Sequence, residues 1–184
     1  MSEQLLVAHC SPTLAGIKTG SLFACEYPCR KKLFCVVRRW NRMLNPKGVY
    51  VRAFCSQPGR ALMYVYRKKK LEQELHMPEA RAFLETYGYD RESGLPEIFA
   101  LLSRRLQESR EFPHEIGLFL GYPLADVKGF IENRGRNCKC AGCWKVYGDE
   151  QTAQKLFMKY RKCTDVYCRK LKEGTPILRL TVAA

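Results

Sequence analysis

Three groups of reactive side chains stand out along the chain. The first is His9-Cys10-Ser11, an imidazole beside a thiol. The local pattern reads as a short buried strand, LLVAHC, running into a helix over 11–24 with Ser11 at the N-cap and Pro12 at the first helical position. A thiol at a helix start feels the positive end of the helix dipole, which favours thiolate, and a nearby imidazole can take its proton. On that reading Cys10 is the nucleophile or redox centre of a thiol-dependent enzyme acting on an anionic small substrate, with His9 as its base. The alternative is a buried structural thiol, because neighbours on an extended strand point to opposite faces.

The second group is C-x-C-x-x-C, formed by Cys138, Cys140 and Cys143. Its Ala-Gly interior suits a metal knuckle, and zinc or an iron–sulfur cluster would take its thiolates. Further ligands would come from Cys163 and Cys168. On one unbroken helix those two lie about 140° apart, so sharing a metal requires a helix break, for which Thr164-Asp165 is the candidate. A redox dithiol or ordinary thiols are the alternatives. Arg134, Arg136, Lys139 and Lys145 would favour thiolate in each case.

The third group is electrostatic. No acidic residue lies between Glu26 and Glu72, while that window holds Arg30, Lys31, Lys32, Arg38, Arg39, Arg42, Lys47, Arg52, Arg60, Arg67, Lys68, Lys69 and Lys70. These thirteen cations leave nineteen basic against eighteen acidic residues elsewhere, so the net charge of +14 is concentrated in residues 27–71. A basic stretch of this kind attracts polyanions in a salt-dependent way. The partner is expected to be nucleic acid or an acidic protein. Interleaved aromatics, Phe34 and Trp40 among them, offer base stacking or core packing.

Two weaker signals lie further on. His114-Glu115 lacks the second histidine of a zinc-protease motif and reads as a helix start, with Glu115 complementing the dipole. Residues 114–133 have the spacing of a helix-turn-helix, the second helix then being a DNA reader; a plain packed helical hairpin fits the same spacing.

These groups need a scaffold. A chain of 184 residues with 46% hydrophobic content is one globular domain over 1–184, with the basic region 27–71 and a cysteine-containing part 137–184 within it. It needs no disulfide staples. The first basic residue is Lys18 and the early apolar run is only LLVA, so neither a secretory signal nor a membrane helix is read. A cytoplasmic protein with reduced cysteines follows, and Cys25, Cys29, Cys35 and Cys55 are expected to be small buried residues.

RKKLFCVVRRWNRML reads as a basic helix ending at Asn45-Pro46. GVYVRAFC and RALMYVYR alternate with period two around Pro58-Gly59, a β-hairpin. Helices follow, then a helical region capped by Asp149, and PILRLTV as a last strand. Gly16 and Gly20 mark a place where something approaches the backbone closely. The expected fold class is α+β, a small sheet built around a central hairpin and packed by several helices.

The strings HCSPTLAGIKTGSLF, PKGVYVRAF, RALMYVYR, EFPHEIGLFLGYPLADVKGFIEN, CKCAGCWKVYGDE and YRKCTDVYC resemble the domain-of-unknown-function family 3793, a bacterial family mostly of anaerobic Firmicutes. The resemblance spans nearly the whole chain. It implies a bacterial cytosolic protein and makes an acidic, flavodoxin-like protein a candidate partner. It brings no activity, cofactor or catalytic residue.

Overall fold

A computed structural model describes residues 2–57, 59–108 and 111–183. Helix α1 spans Glu3–Leu14, capped by Ser2, whose side chain accepts from the Leu5 N–H at 3.2 Å. The strand expected at LLVAHC is therefore a helix. An apolar run of four is too short to fix a period. What decides it is the stripe of buried Leu6, Val7, Cys10 and Leu14, which lie on one side of a helix. Ser11 and Pro12 are not a helix start but the interior of α1, where the Ser11 hydroxyl donates to the Val7 carbonyl at 2.5 Å.

The expected helix over 11–24 is corrected in its second half to strand β1, Gly20–Glu26. Helix α2, Arg30–Leu44, follows as read, and then the hairpin of β2, Val49–Gln57, and β3, Arg60–Arg67. Pro58 of its turn lies outside the described residues. The sheet is antiparallel in the order β1-β3-β2, with β3 paired on both edges. α+β is the fold class.

Period two decides what each sheet face meets. Val49, Val51, Ala61, Met63 and Val65 join α1 and α2 in one core; Phe54, Tyr64 and Tyr66 join the other. That second core is closed by α3, Lys68–Leu75; α4, Pro78–Glu85; α5, Leu95–Glu108; α6, Ile116–Phe119; and α7, Leu124–Glu132. Gly20 is the close approach anticipated from sequence: a Cβ there would sit 2.6 Å from the Phe119 carbonyl oxygen and 2.7 Å from the Tyr64 ring.

The cysteine-rich segment forms a minimal hairpin, β4, Cys140–Ala141, and β5, Lys145–Val146. Asp126 of α7 anchors it, accepting from Trp144 Nε1 at 2.7 Å and from the backbone N–H groups of Tyr147 and Gly148 at 2.8 and 2.7 Å. Helix α8, Glu150–Lys172, begins at the Asp149 cap as expected, packs along α1, and leads to α9, Ile177–Leu180. The last strand expected at PILRLTV is this short helix; buried Ile177 and Leu180 close the α1 core instead of pairing with the sheet.

Candidate functional site

The cations of residues 27–71 do not share one surface. On α2 the buried residues Leu33, Trp40 and Leu44 fall within about 40° of arc. Lys31, Lys32, Arg38, Arg39 and Arg42, all exposed, occupy roughly 120° on the opposite side. Among the described residues no carboxylate lies within 4.0 Å of them. Exposed Arg30 begins this helix, exposed Arg60 lines a surface cleft with Lys32 near its start, and Phe34 is 52% exposed beside the arc.

The other predicted anion-binding residues go elsewhere, because side chains alternate across the sheet and β3 is its central strand. Arg52 lies on the opposite sheet face, 4.9 Å over the Phe99 ring. Arg67 is buried and donates to the Thr13 carbonyl at 2.7 Å and to the Leu14 carbonyl, closing the end of α1. Lys68 pairs with Glu72 at 3.8 Å, and Lys70 acts electrostatically on Glu74. Exposed Lys69 stands with them at the start of α3.

Topology adds charge that the linear window omits. α8 carries Lys155, Lys159, Arg161, Lys162, Arg169, Lys170 and Lys172 against Glu150 and Asp165. It lies on the same side of the sheet as α2, with α1 and α9. α2 has six cations and no acid, α9 has Arg179, and α1 has only Glu3. This one helical layer thus holds eleven of the net fourteen positive charges.

The cysteines separate. Cys10 is fully buried inside α1, and burial pushes its thiol far above the usual range, against a smaller opposing pull from Lys18. The strand-to-helix junction that was to activate it does not exist. His9 is exposed and stacks on Phe23 at 4.8 Å. Cys29 and Cys35 are exposed, and Cys25 and Cys55 half-buried, so none of the four is the fully buried residue expected. α8 runs unbroken through Thr164-Asp165, leaving Cys163 and Cys168 on different sides of one helix. Among the described residues no three His, Cys, Asp or Glu side chains gather as a metal site requires.

Glu115 stands at the N-cap position of α6, as read, but its side chain makes no capping bond there. It is 1% exposed, takes the Arg105 Nε–H at 2.5 Å and the Tyr89 hydroxyl at 3.3 Å. The hairpin at 114–133 is packed on two sides. Val127 enters the main core, while a Cβ on Gly129 would lie 2.5 Å from Tyr147 of the cysteine segment.

One site was not read from sequence. The tip of the β4–β5 hairpin, α1 and α8 enclose a cleft of about 560 Å³. Lys18 lies in its wall, only 9% exposed, donating to the Gly20 carbonyl at 2.6 Å with its ammonium 5.2 Å from the Tyr122 ring centre. Burial lowers its pKa to about 8, with Cys143 and Cys10 pulling weakly the other way. Tyr122 and Tyr160 are pushed up to about 12 by burial and remain neutral donors. Exposed Cys143 and Arg161 stand at the same cleft. The sequence marks Lys18 only as the first basic residue of the chain.

A family model described as "Protein of unknown function (DUF3793)" matches residues 6–181. No curated protein and no solved structure matches the chain. No helix among the described residues is long and apolar enough to cross a membrane.

Proposed function

The chain belongs to the DUF3793 family, and from its own residues we propose a binding or regulatory module whose cationic helical layer holds a polyanion, nucleic acid being the favoured partner. The observation that carries this is α2: five exposed cations on one arc, opposite the buried stripe, with no carboxylate within 4.0 Å among the described residues. An ordinary solvated helix face mixes both signs. An arc of one sign attracts anions and weakens compaction through self-repulsion.

Nucleic acid is favoured over an acidic protein because Arg38, Arg39 and Arg42 offer forked donors suited to phosphate and exposed Phe34 offers a stacking surface beside them. Cys10 is fully buried and Arg67 is engaged with two backbone carbonyls, so the reading rests on neither.

The test is a titration with a short fluorescein-labelled DNA strand, with poly-glutamate as a second probe. Each is followed by alkylation of Cys35, which is exposed within the cationic arc. Tight DNA binding that slows Cys35 alkylation supports the reading. Tighter binding of poly-glutamate than of DNA overturns the nucleic-acid assignment in favour of an acidic protein. Binding of neither overturns the module.

A further inference from the structure

We propose that the cleft between α1, α8 and the β4–β5 hairpin is a small-molecule site for a carboxylate on a planar apolar body, with Lys18 and Arg161 holding the carboxylate and Cys143 beside it. This goes beyond polyanion binding and uses different residues. A buried ammonium with no carboxylate partner is costly to keep, since burial strips its hydration. Lys18 is such a group: 9% exposed, bonded among the described residues only to the Gly20 carbonyl, and facing the Tyr122 ring. A ligand carboxylate would supply the missing countercharge.

The rest of the wall fits such a ligand. Arg161 is exposed on α8 and has no ion pair of its own among the described residues. Tyr122 stacks on Trp144 at 4.9 Å, so one wall is aromatic. Tyr160 hydroxyl bonds back to the Ile17 carbonyl at 3.4 Å, holding α8 against the Lys18 turn. Asp165 is the one carboxylate at the cleft, and it is exposed on α8. The space, about 560 Å³, is within the range of small-ligand clefts. A bare phosphate would leave the aromatic wall unused.

Cys143 makes the site testable by affinity labelling. Iodoacetate carries a carboxylate and iodoacetamide is its neutral counterpart. In either case the sulfur–carbon bond forms as carbon–iodine breaks, iodide leaves and the thiol proton goes to water. The rates are read at Cys143 by peptide mass spectrometry. Taking the ratio of the two reagents cancels any change in the thiol's own acidity.

The iodoacetate-to-iodoacetamide ratio at Cys143 is expected to fall about tenfold in Lys18→Met, the worth of one charge-assisted hydrogen bond, and by less in Arg161→Gln. Benzoate is expected to slow iodoacetate at Cys143 and not at Cys35. Arg161 is on the surface, so its variant tests the cleft independently of any effect of Lys18→Met on stability. A ratio unchanged in both variants, no protection by benzoate, or protection by inorganic phosphate but not benzoate overturns the proposal. DNA binding through α2 is measured separately and stands or falls independently.

Discussion

The Lys18 ammonium lies 5.2 Å from the centre of the Tyr122 ring, with the Gly20 carbonyl its hydrogen-bond partner and no carboxylate within 4.0 Å among the described residues. Its pKa is lowered to about 8 by burial. The protein therefore holds this charge at a cost of roughly 3 kcal/mol, at about 1.4 kcal/mol per tenfold change in protonation equilibrium.

That cost has a pH signature. The folded-state pKa lies below the unfolded one, so between about pH 8 and the ordinary lysine value near 10.4 the unfolded chain binds the extra proton. The Lys18 contribution to stability therefore rises with pH across that window and is most unfavourable below it. Lys18→Met is expected to gain stability relative to wild type at pH 7, with the gap shrinking by pH 10. Urea unfolding of both proteins at the two pH values checks this; a gap independent of pH would contradict it.

Arg67 and the α2 cations should behave oppositely. Arg67→Met leaves the Thr13 and Leu14 carbonyls without their buried donor and is expected to cost about 2–4 kcal/mol. Arg38→Gln on exposed α2 is expected to change stability by less than about 0.5 kcal/mol and to weaken DNA binding. Denaturation and DNA titration of the pair separate scaffold cations from binding cations.

Asp126 gathers three N–H donors from the cysteine segment. Asp126→Ala leaves the Trp144 indole and two backbone groups unpaired, so the β4–β5 hairpin should open before the main core does. Half-buried Cys138 and Cys140 are then expected to alkylate at least about tenfold faster, while fully buried Cys10 stays protected. Equal protection of all three thiols in the variant would show that the hairpin is held by something else.

The parts of the fold legible in the sequence are those set locally. The β2–β3 hairpin announced itself by alternation, α2 by its basic run and its stop at Asn45-Pro46, and α8 by the Asp149 cap. The N-terminal elements were not legible. Ser11-Pro12 has the chemistry of a helix start, yet the Ser11 hydroxyl satisfies the Val7 carbonyl inside α1 and Gly16, at φ +78°, ends the turn beyond it. Lys18 could not be recognised either, because its cleft is completed by Tyr122, Cys143 and Arg161, which come from more than a hundred residues away. The charge was half legible: the acid-free window identified α2, but only the packing of α8 along α1 brings a second cationic helix to the same layer.

The most direct test of the central claim is the salt dependence of DNA binding. If the five cations of the α2 arc, Lys31, Lys32, Arg38, Arg39 and Arg42, each neutralise a phosphate, the logarithm of affinity for a single strand falls with the logarithm of salt at a slope of about −3.5, or about a hundredfold between ~50 and ~200 mM. In the triple variant Lys31→Glu, Arg38→Glu, Arg42→Glu the slope is expected to be no steeper than about −1.5, with the fold intact by circular dichroism. A wild-type affinity indifferent to salt, or a triple variant that binds as steeply as wild type, would contradict the account.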